Sequence, residues 1–470
     1  MTEVKSRVGE EAIATLKLAG PLIGAQLAQV SINFVDTVMA GRLNANALAA
    51  VAIGTNTLFF VTSVCLGLLM SVSPSVAQLF GAGKHQEIGS CVRQGLWLSL
   101  GAALFGMAAL RAIEPFLVWI GVVPEILPTT LGFLRAISWG LPAWCIFQVL
   151  RSFNEGVGST RPVLFGSLLG LLACIAGDYI FMYGKLGIPP LGAVGCGVAS
   201  AIVFWLMALF LAAYSYWKPE YRRYEVFEYF EWPRSKEIID LLKLGMPIAV
   251  SLFMEVSLFA GAGLLIGSLG NIAAAGHQIA LNVASVTFMI PLGLAMAITV
   301  RVGQAIGRGD PEAARFSGSI GIVMAAAFMS CSALVLWTLP AFIAGIYTND
   351  PSVRTMAVTL LLMAAIFQIF DGLQVSGSGA LRGLKDTKIP MLITTFAYWG
   401  IGMPLGYFLA FIRNGGPKGF WIGFICGLLV AAILLNSRFQ LSTRRLIRAE
   451  RLKLSTYALS TSLPGRMKSS

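Results

Sequence analysis

Four carboxylates stand inside runs of apolar residues: Asp36, Asp178, Glu255 and Asp371. The remaining acids, of 22 in the chain, fall in polar stretches or near the ends of the runs. A charge at bilayer depth costs about 2.5–3.5 kcal/mol even on the milder insertion scale, so an acid so placed reads first as a working group. A carboxyl taken out of water can load and release a proton near neutrality. Two carboxylates with amide and carbonyl oxygens beside them can hold a hard cation such as Na+, by the oxygen-ligand logic that governs Ca2+. Either arrangement also attracts organic cations. A site that takes an inward-moving ion or an outward-bound organic cation, one at a time, exchanges the two. Each elementary charge entering down the membrane potential supplies about 2.3 kcal/mol per 100 mV.

The neighbours of these acids are polar at helical spacing. Gln26, Gln29, Asn33 and Asp36 recur three and four residues apart, which lays a polar stripe along one helix face, turned away from lipid. Asp371 has Gln368 before it, and Gln374 and Ser378 after it, on one face; Glu255 follows Ser251 by one turn. Asp178, in CIAGDYIFMYGK, lies closer to the end of its apolar run.

The elements that must position them are membrane-spanning helices. Of 470 residues 57% are hydrophobic and only 12% are Asp, Glu, Lys or Arg, and Gly is abundant at 51, as close helix packing in lipid favours. Twelve apolar segments long enough to cross a bilayer can be read, at 12–38, 47–80, 92–121, 126–150, 162–183, 191–217, 240–267, 273–300, 316–346, 353–380, 389–412 and 419–437. Basic residues cluster in alternate gaps: Lys84 with Arg93, Arg151 with Arg161, Arg222 to Lys236, Arg301 to Arg315, Arg382 to Lys388, then the tail from Arg438. The positive-inside rule then places both termini in the cytoplasm. The net charge of +12 is thereby topology and not a nucleic-acid footprint, and the tail LSTRRLIRAERLK can rest on anionic lipid. Met1–Glu11 lacks an apolar core of its own, so no signal peptide is expected.

The chain also repeats itself. When Leu16 is laid on Leu242, LKLAGP meets LKLGMP, GRLNANALAAVAIGTN meets GSLGNIAAAGHQIALN, LGLLM meets LGLAM and VAQLFGAG meets VGQAIGRG. In this register Gln29 is the counterpart of Glu255. Six spans per copy make a parallel repeat about an axis along the membrane normal. The expected division is an N-lobe over 1–218, a polar linker over 219–238, a C-lobe over 239–440 and a basic tail over 441–470. Two such lobes facing one another form a cleft that can open to either side.

Several chemistries are excluded or unsupported. No G-x-x-x-x-G-K-[ST] is present, so the chain has no phosphate-cradling loop for driving export with ATP. His85 and His277 are the only histidines, too few for a histidine metal centre, and no nucleophile–base set is visible, so an enzyme is not expected. The seven cysteines, 65, 91, 145, 174, 196, 331 and 426, read as small buried hydrophobes.

AAAGHQIALNVASVTFMIPLGLAMAITVRVGQAIGRGDPEAAR, VDTVMAGRLNANALAAVAIG, EGVGSTRP and ALRGLKDTKIPM with YWGIGMPLGY together resemble the MATE (multidrug and toxic compound extrusion) transporters, in their NorM-like bacterial branch. The resemblance runs from about Ala12 to Gln440. It implies a V-shaped pair of six-helix lobes in the bacterial inner membrane, usually monomeric, exporting amphipathic and often cationic drugs in exchange for Na+ or H+. It puts the coupling cation on Glu255 and Asp371, and a second titratable site on Asp36 and Asp178, with Ser200 as a further oxygen. Gln278 and Asn282 fall on the cavity-facing stripe of the eighth helix, and Asn33 and Gln29 of the first helix and Gln368 and Gln374 of the tenth are the other cavity candidates. Two positions depart from the pattern. Cys174 replaces an asparagine, which favours a proton over Na+ in the N-lobe. Phe367 replaces a tyrosine and leaves a ring for cation–π contact.

The expectation is therefore an all-α, twelve-span antiporter for organic cations, working by alternating access with Na+ favoured as coupling ion, and with no cofactor. The alternatives are a lipid-linked precursor flippase of the wider superfamily, disfavoured because the deep charges all read as acidic, or a receptor, scaffold or channel.

Overall fold

The computed structural model describes residues 2–461, and its regular structure among these is entirely helical. The N-terminal half holds α1 (Thr2–Leu43), α2 (Ala45–Leu69), α3 (Val72–Gly81), α4 (His85–Arg111), α5 (Glu114–Trp119), α6 (Leu127–Ser138), α7 (Leu141–Gly156), α8 (Arg161–Tyr183) and α9 (Ala193–Trp217). The C-terminal half holds α10 (Ser235–Gly267), α11 (Asn271–Gly307), α12 (Pro311–Thr338), α13 (Pro340–Tyr347), α14 (Pro351–Gly383), α15 (Lys388–Thr395), α16 (Met403–Tyr407) and α17 (Pro417–Thr461). These helices fall on all twelve apolar segments. By length and composition ten helical stretches among the described residues can cross a bilayer, and α6 with α7, bent by 48°, make an eleventh. The third segment is carried by α4, which bears Arg93 and Arg111 near its ends. The protein is a multi-pass membrane protein.

Local chemistry sets the helix ends. The side chains of Asn44, Asp310 and Asp350 accept backbone N–H bonds from the first turns of α2, α12 and α14, satisfying donors that a helix start leaves open. The bend between α6 and α7 falls where Gly140 precedes the Leu141–Pro142 start of a new helix, Pro being tolerated only in a first turn. Around Tyr398 the chain widens into a π-helix over Phe396–Gly402, a form found mostly as single turns at functional places.

The two halves meet along a seam that obeys the sequence repeat. A methyl group on Gly81 would collide with the Gln304 carbonyl, and one on Gly307 with the Gln78 carbonyl. Gly81 and Gly307 are repeat counterparts, as are Gln78 and Gln304. The amide of Gln78 donates to the Gly383 carbonyl at 2.9 Å, and that of Gln304 to the Gly156 carbonyl at 3.0 Å. Higher up, Gly67 is pressed against Ala249 while its counterpart Gly293 is pressed against Ile23, again exchanging partners. This reciprocity is the signature of an approximate two-fold axis running between parallel repeats. Only glycine lets backbones approach so closely, since there is little hydrophobic force between helices in lipid.

Near the seam, Glu11 of α1 receives a two-pronged ion pair from Arg301 of α11. At this end too the linker docks on α4: Ser90, Arg93 and the Trp97 indole all bond to Glu231, and Tyr221 and Tyr224 are buried beside Phe153. Burial works against the Glu231 charge, but the bonds from Arg93 and Ser90 and the charges of Arg93 and Arg234 outweigh it and hold its carboxyl below the ordinary range. Every hydrogen bond between the lobes, among the described residues, lies toward this end. Farther along, Asn33, Phe34 and Thr37 of α1 and Gln278 and Asn282 of α11 are exposed. Helix α17 continues without a break through the expected start of the tail at 441, and the tail's residues 462–470 lie outside those described.

Candidate functional site

The acids form two separate clusters. In the C-terminal half, Asp371 projects from α14 and is buried, while Glu255 of α10 is half-buried. They are close enough for the Glu255 charge to act on Asp371, and Arg382, three turns along α14, acts on Glu255 in turn. Tyr398 is the hydroxyl beside Glu255 and interacts with its carboxylate. The amide oxygen of Gln374, one turn after Asp371, is buried and unpartnered. Two carboxylates, an amide oxygen and a phenol oxygen thus share one region with acceptor capacity unspent, which fits a cation with several oxygen ligands.

Gln368 serves differently. Its oxygen accepts from Thr287 of α11 at 3.1 Å and from Ser332 of α12 at 3.3 Å, so it ties α14 to both neighbours. Phe367 does not face an open cavity: it is buried edge-on among Trp421 at 5.5 Å, Phe259 at 6.1 Å and Phe424 at 6.4 Å. In this state its ring is taken up by aromatic neighbours, one turn before Asp371 on α14. Gln278 and Asn282 are exposed on α11, and Asn282 accepts from the Tyr347 hydroxyl at 2.8 Å.

In the N-terminal half α1, α8 and α9 bring Asp36, Asp178 and two cysteines together. The Cys174 thiol points to Asp36 at 3.1 Å and to Asp178, one turn on, at 3.7 Å. Oxygens of Asp36 and Asp178 and the sulfur of Cys196 lie within 4.8 Å of one another. Gly177 against Ala199 lets α8 and α9 close around the cluster. Asp178, expected near a membrane boundary, is fully buried. Its proximity to Asp36 means that both cannot carry bare charge at little cost: a proton or a cation must sit between them. The cysteines here are more than buried hydrophobes, and Cys196 was not legible as part of the group.

The polar stripe on α1 splits between roles. Asp36 faces α8, Asn33 is exposed, Gln29 is half-buried, and Gln26 accepts at 2.8 Å from the Arg151 guanidinium. Arg151 pairs with Glu155 at 2.7 Å, both about 5% exposed. They line a small cavity of about 30 Å³ with Met70 of their own half and with Thr299 and Arg382 across the seam. Arg382 is buried with its Nε and Nη2 unpartnered. Arg151, Glu155 and Arg382 stand at segment ends and read from sequence as loop charges. The expectation that all deep charge is acidic is therefore corrected, because two buried guanidinium groups sit where the lobes meet.

Comparison with known proteins agrees with this architecture. A family model described as MatE matches residues 21–180 and again 247–408, its two starting points being the repeat counterparts Pro21 and Pro247. "Probable multidrug resistance protein NorM" of Xanthomonas campestris pv. campestris is 44% identical over 94% of this chain and 96% of its own length. "Multidrug resistance protein MdtK" of Edwardsiella ictaluri is 43% identical over 92% of this chain and 95% of its own. Among solved structures the eukaryotic MATE transporter AtDTX14 superposes with a TM-score of 0.87 at 21% identity, over 95% of this chain and 99% of that one, a likeness of fold. Two repeats joined at a pseudo-two-fold seam, each matched by the same model, place the chain in the MatE family.

Proposed function

We propose that this protein is a multidrug efflux antiporter that exports amphipathic, cationic organic compounds in exchange for Na+ by alternating access, from a bacterial inner membrane and as a monomer. The names of its relatives support multidrug efflux. The observation that carries the choice of ion is the C-terminal cluster, where Glu255 and Asp371 share their surroundings with the Tyr398 hydroxyl and the unpartnered amide oxygen of Gln374. Na+ entering there is held by these oxygens, and its charge replaces that of the organic cation, so the two compete for one electrostatic well. Asp36 and Asp178 form the second titratable site, and the Cys174 thiol between them suits a proton there.

H+ as the coupling ion is the second reading, favoured by the same N-terminal pair. Efflux of a fluorescent organic cation from proteoliposomes, with a Na+ gradient or a pH gradient imposed separately, tells them apart. Na+ alone should drive efflux, and Glu255→Gln should abolish it. If only the pH gradient works and Asp36→Asn is the sensitive variant, the coupling ion is H+ and the N-terminal pair carries it.

A further inference from the structure

We propose that the linker between the lobes is an anchor seated in the bilayer interface, where its basic residues gather the headgroups of acidic phospholipids. A segment so rich in Glu and Arg reads from sequence as a loop in water. The fold turns it around. Glu231 is held inward by Ser90, Arg93 and the Trp97 indole, while its neighbours Phe230 and Trp232 are 73% and 74% exposed and Tyr229 is 61% exposed. A loop in water does the opposite, showing its carboxylate and covering its rings. What lies outside the linker follows from α4. Ser90, Arg93, Trp97, Leu100 and Leu104 recur three and four residues apart and so share one face of that helix. Leu100 and Leu104 are exposed, and on a membrane-spanning helix such leucines face acyl chains. The other three are covered by the linker. From His85 to Trp97 the helix rises about 18 Å, so the linker lies back over three turns of α4 and not beyond its end. It occupies the place of lipid, and its own outer face meets lipid in turn.

That outer face continues the exposed surface of the helix before it, since the rings of Tyr216, at the end of α9, and Phe227 stand 6.3 Å apart. Rings of this kind, apolar on one side and wet on the other, settle at the level of lipid headgroups. Glu228 is the one outward acid between Phe227 and Trp232, and it fixes the depth, because a carboxylate keeps the stretch among the headgroups and out of the acyl core. Charge supplies the lipid class. Lys218 is spent on Glu220, and Arg234 on Glu231 and Glu237, whereas Arg222, Arg223 and Lys236 are exposed without an ion pair among the described residues. Three unspent cations beside a row of aromatic rings complement an anionic membrane surface.

The test places a spin label at Tyr229→Cys in the full-length chain, with the exposed Cys331 replaced by serine, in nanodiscs of phosphatidylcholine with or without phosphatidylglycerol. Power saturation compares collisions with oxygen, which concentrates in lipid, and with a neutral nickel chelate, which stays in water. Labels at Leu104→Cys and Lys84→Cys mark lipid and water. With phosphatidylglycerol present, the oxygen-to-nickel ratio at Tyr229 should stand several-fold above that at Lys84 and approach that at Leu104. Omitting phosphatidylglycerol, or combining Arg222→Gln, Arg223→Gln and Lys236→Gln, should lower the ratio about twofold, and doing both should lower it no further. A ratio equal to that at Lys84 puts the linker in water and overturns the proposal. Low access to both reagents puts it against protein, such as a second copy of the chain, and overturns it as well. A ratio indifferent to lipid charge and to the three basic residues refutes the headgroup assignment. Hydroxyl-radical footprinting of the unaltered protein guards against a variant that fails to fold: in nanodiscs Phe230 should be oxidised as little as Phe105, exposed on α4, and much faster oxidation overturns the proposal. Neither measurement involves a gradient or cargo, so the result is separate from the coupling assignment.

Discussion

Adding one methyl group to the seam should move the whole molecule between its two faces. In Gly307→Ala the new carbon meets the Gln78 carbonyl with the Ala82 amide nitrogen 2.9 Å away, and both are backbone atoms of α3 or its end that cannot turn aside. Overpacking of this kind costs about 1–3 kcal/mol, and contact with backbone puts it in the upper part of that range. The cost falls only on the state in which the seam is shut, while the helical gain of alanine over glycine is shared by both states. At about 2–3 kcal/mol the ratio of shut to open molecules drops roughly 30- to 140-fold. Spin labels at Lys84 and Arg308, both exposed beside the seam, with Cys331 replaced by serine, report that ratio as a distance distribution by double electron–electron resonance. Gly101→Ala, where an added methyl meets nothing within 4 Å, is the control. Gly81→Ala should give the same shift as Gly307→Ala, since the two are counterparts. The double variant should add less than the sum, because the first substitution already parts the helices. Distributions for Gly307→Ala and Gly81→Ala that coincide with the control would refute the reasoning.

Removing one partner of the buried Arg151–Glu155 pair should destabilise the protein by about 3–5 kcal/mol, whereas Arg151→Met with Glu155→Leu should recover most of it; thermal unfolding in detergent checks this, and a single variant as mild as the double one refutes it. Gln374→Leu should weaken the Na+ dependence of efflux about 10- to 100-fold, the range for losing one neutral oxygen from a charged partner, and an unchanged half-saturating Na+ concentration speaks against the oxygen as a ligand. Glu231 ionises below its ordinary 4.5, so its contribution to docking the linker is complete above that value and is lost as pH falls through the lower folded one. Limited proteolysis between residues 219 and 234 should therefore accelerate in acid, and Glu231→Gln should cleave quickly at neutral pH as well; cleavage independent of both refutes the assignment.

The helices were legible because apolar length and helical spacing are local properties of the chain. The repeat was legible because LKLAGP and LKLGMP, or Gly81 and Gly307, keep their identity across the two halves. Burial of Asp371 could be anticipated from its place within an apolar run, that of Asp178 near a run's end less so, and that of Arg151, Glu155 and Arg382 not at all. These three lie at segment ends, where a charge ordinarily finds water, and are covered only because the opposite lobe lands on them. Cys196 was hidden for a similar reason, since nothing on α9 announces that Asp36 of α1 will stand beside it. Phe367 was assigned from the residue type relatives carry there, and its neighbours Trp421 and Phe424 lie on α17, too far along the chain for spacing to reveal.

The exchanged contacts of Gln78 with Gly383 and Gln304 with Gly156 have a consequence for how the molecule divides its labour. This part of the seam is self-complementary, each half offering the other the same glutamine and glycine. Division between hinge and cargo machinery then follows. Where the same pair recurs on the shared surface, as with Gln78 and Gln304 or Gly81 and Gly307, it has stayed alike, although Arg151 and Glu155 at the seam have Gly377 and Leu381 as counterparts. Whatever lies off it is free to differ, and there the halves have parted: Gln29 stands where its counterpart is Glu255, and Asp36 where its counterpart is Ala262. The repeated glutamine and glycine contacts are symmetric while the buried charge is not, so the two halves share a joint without sharing a site.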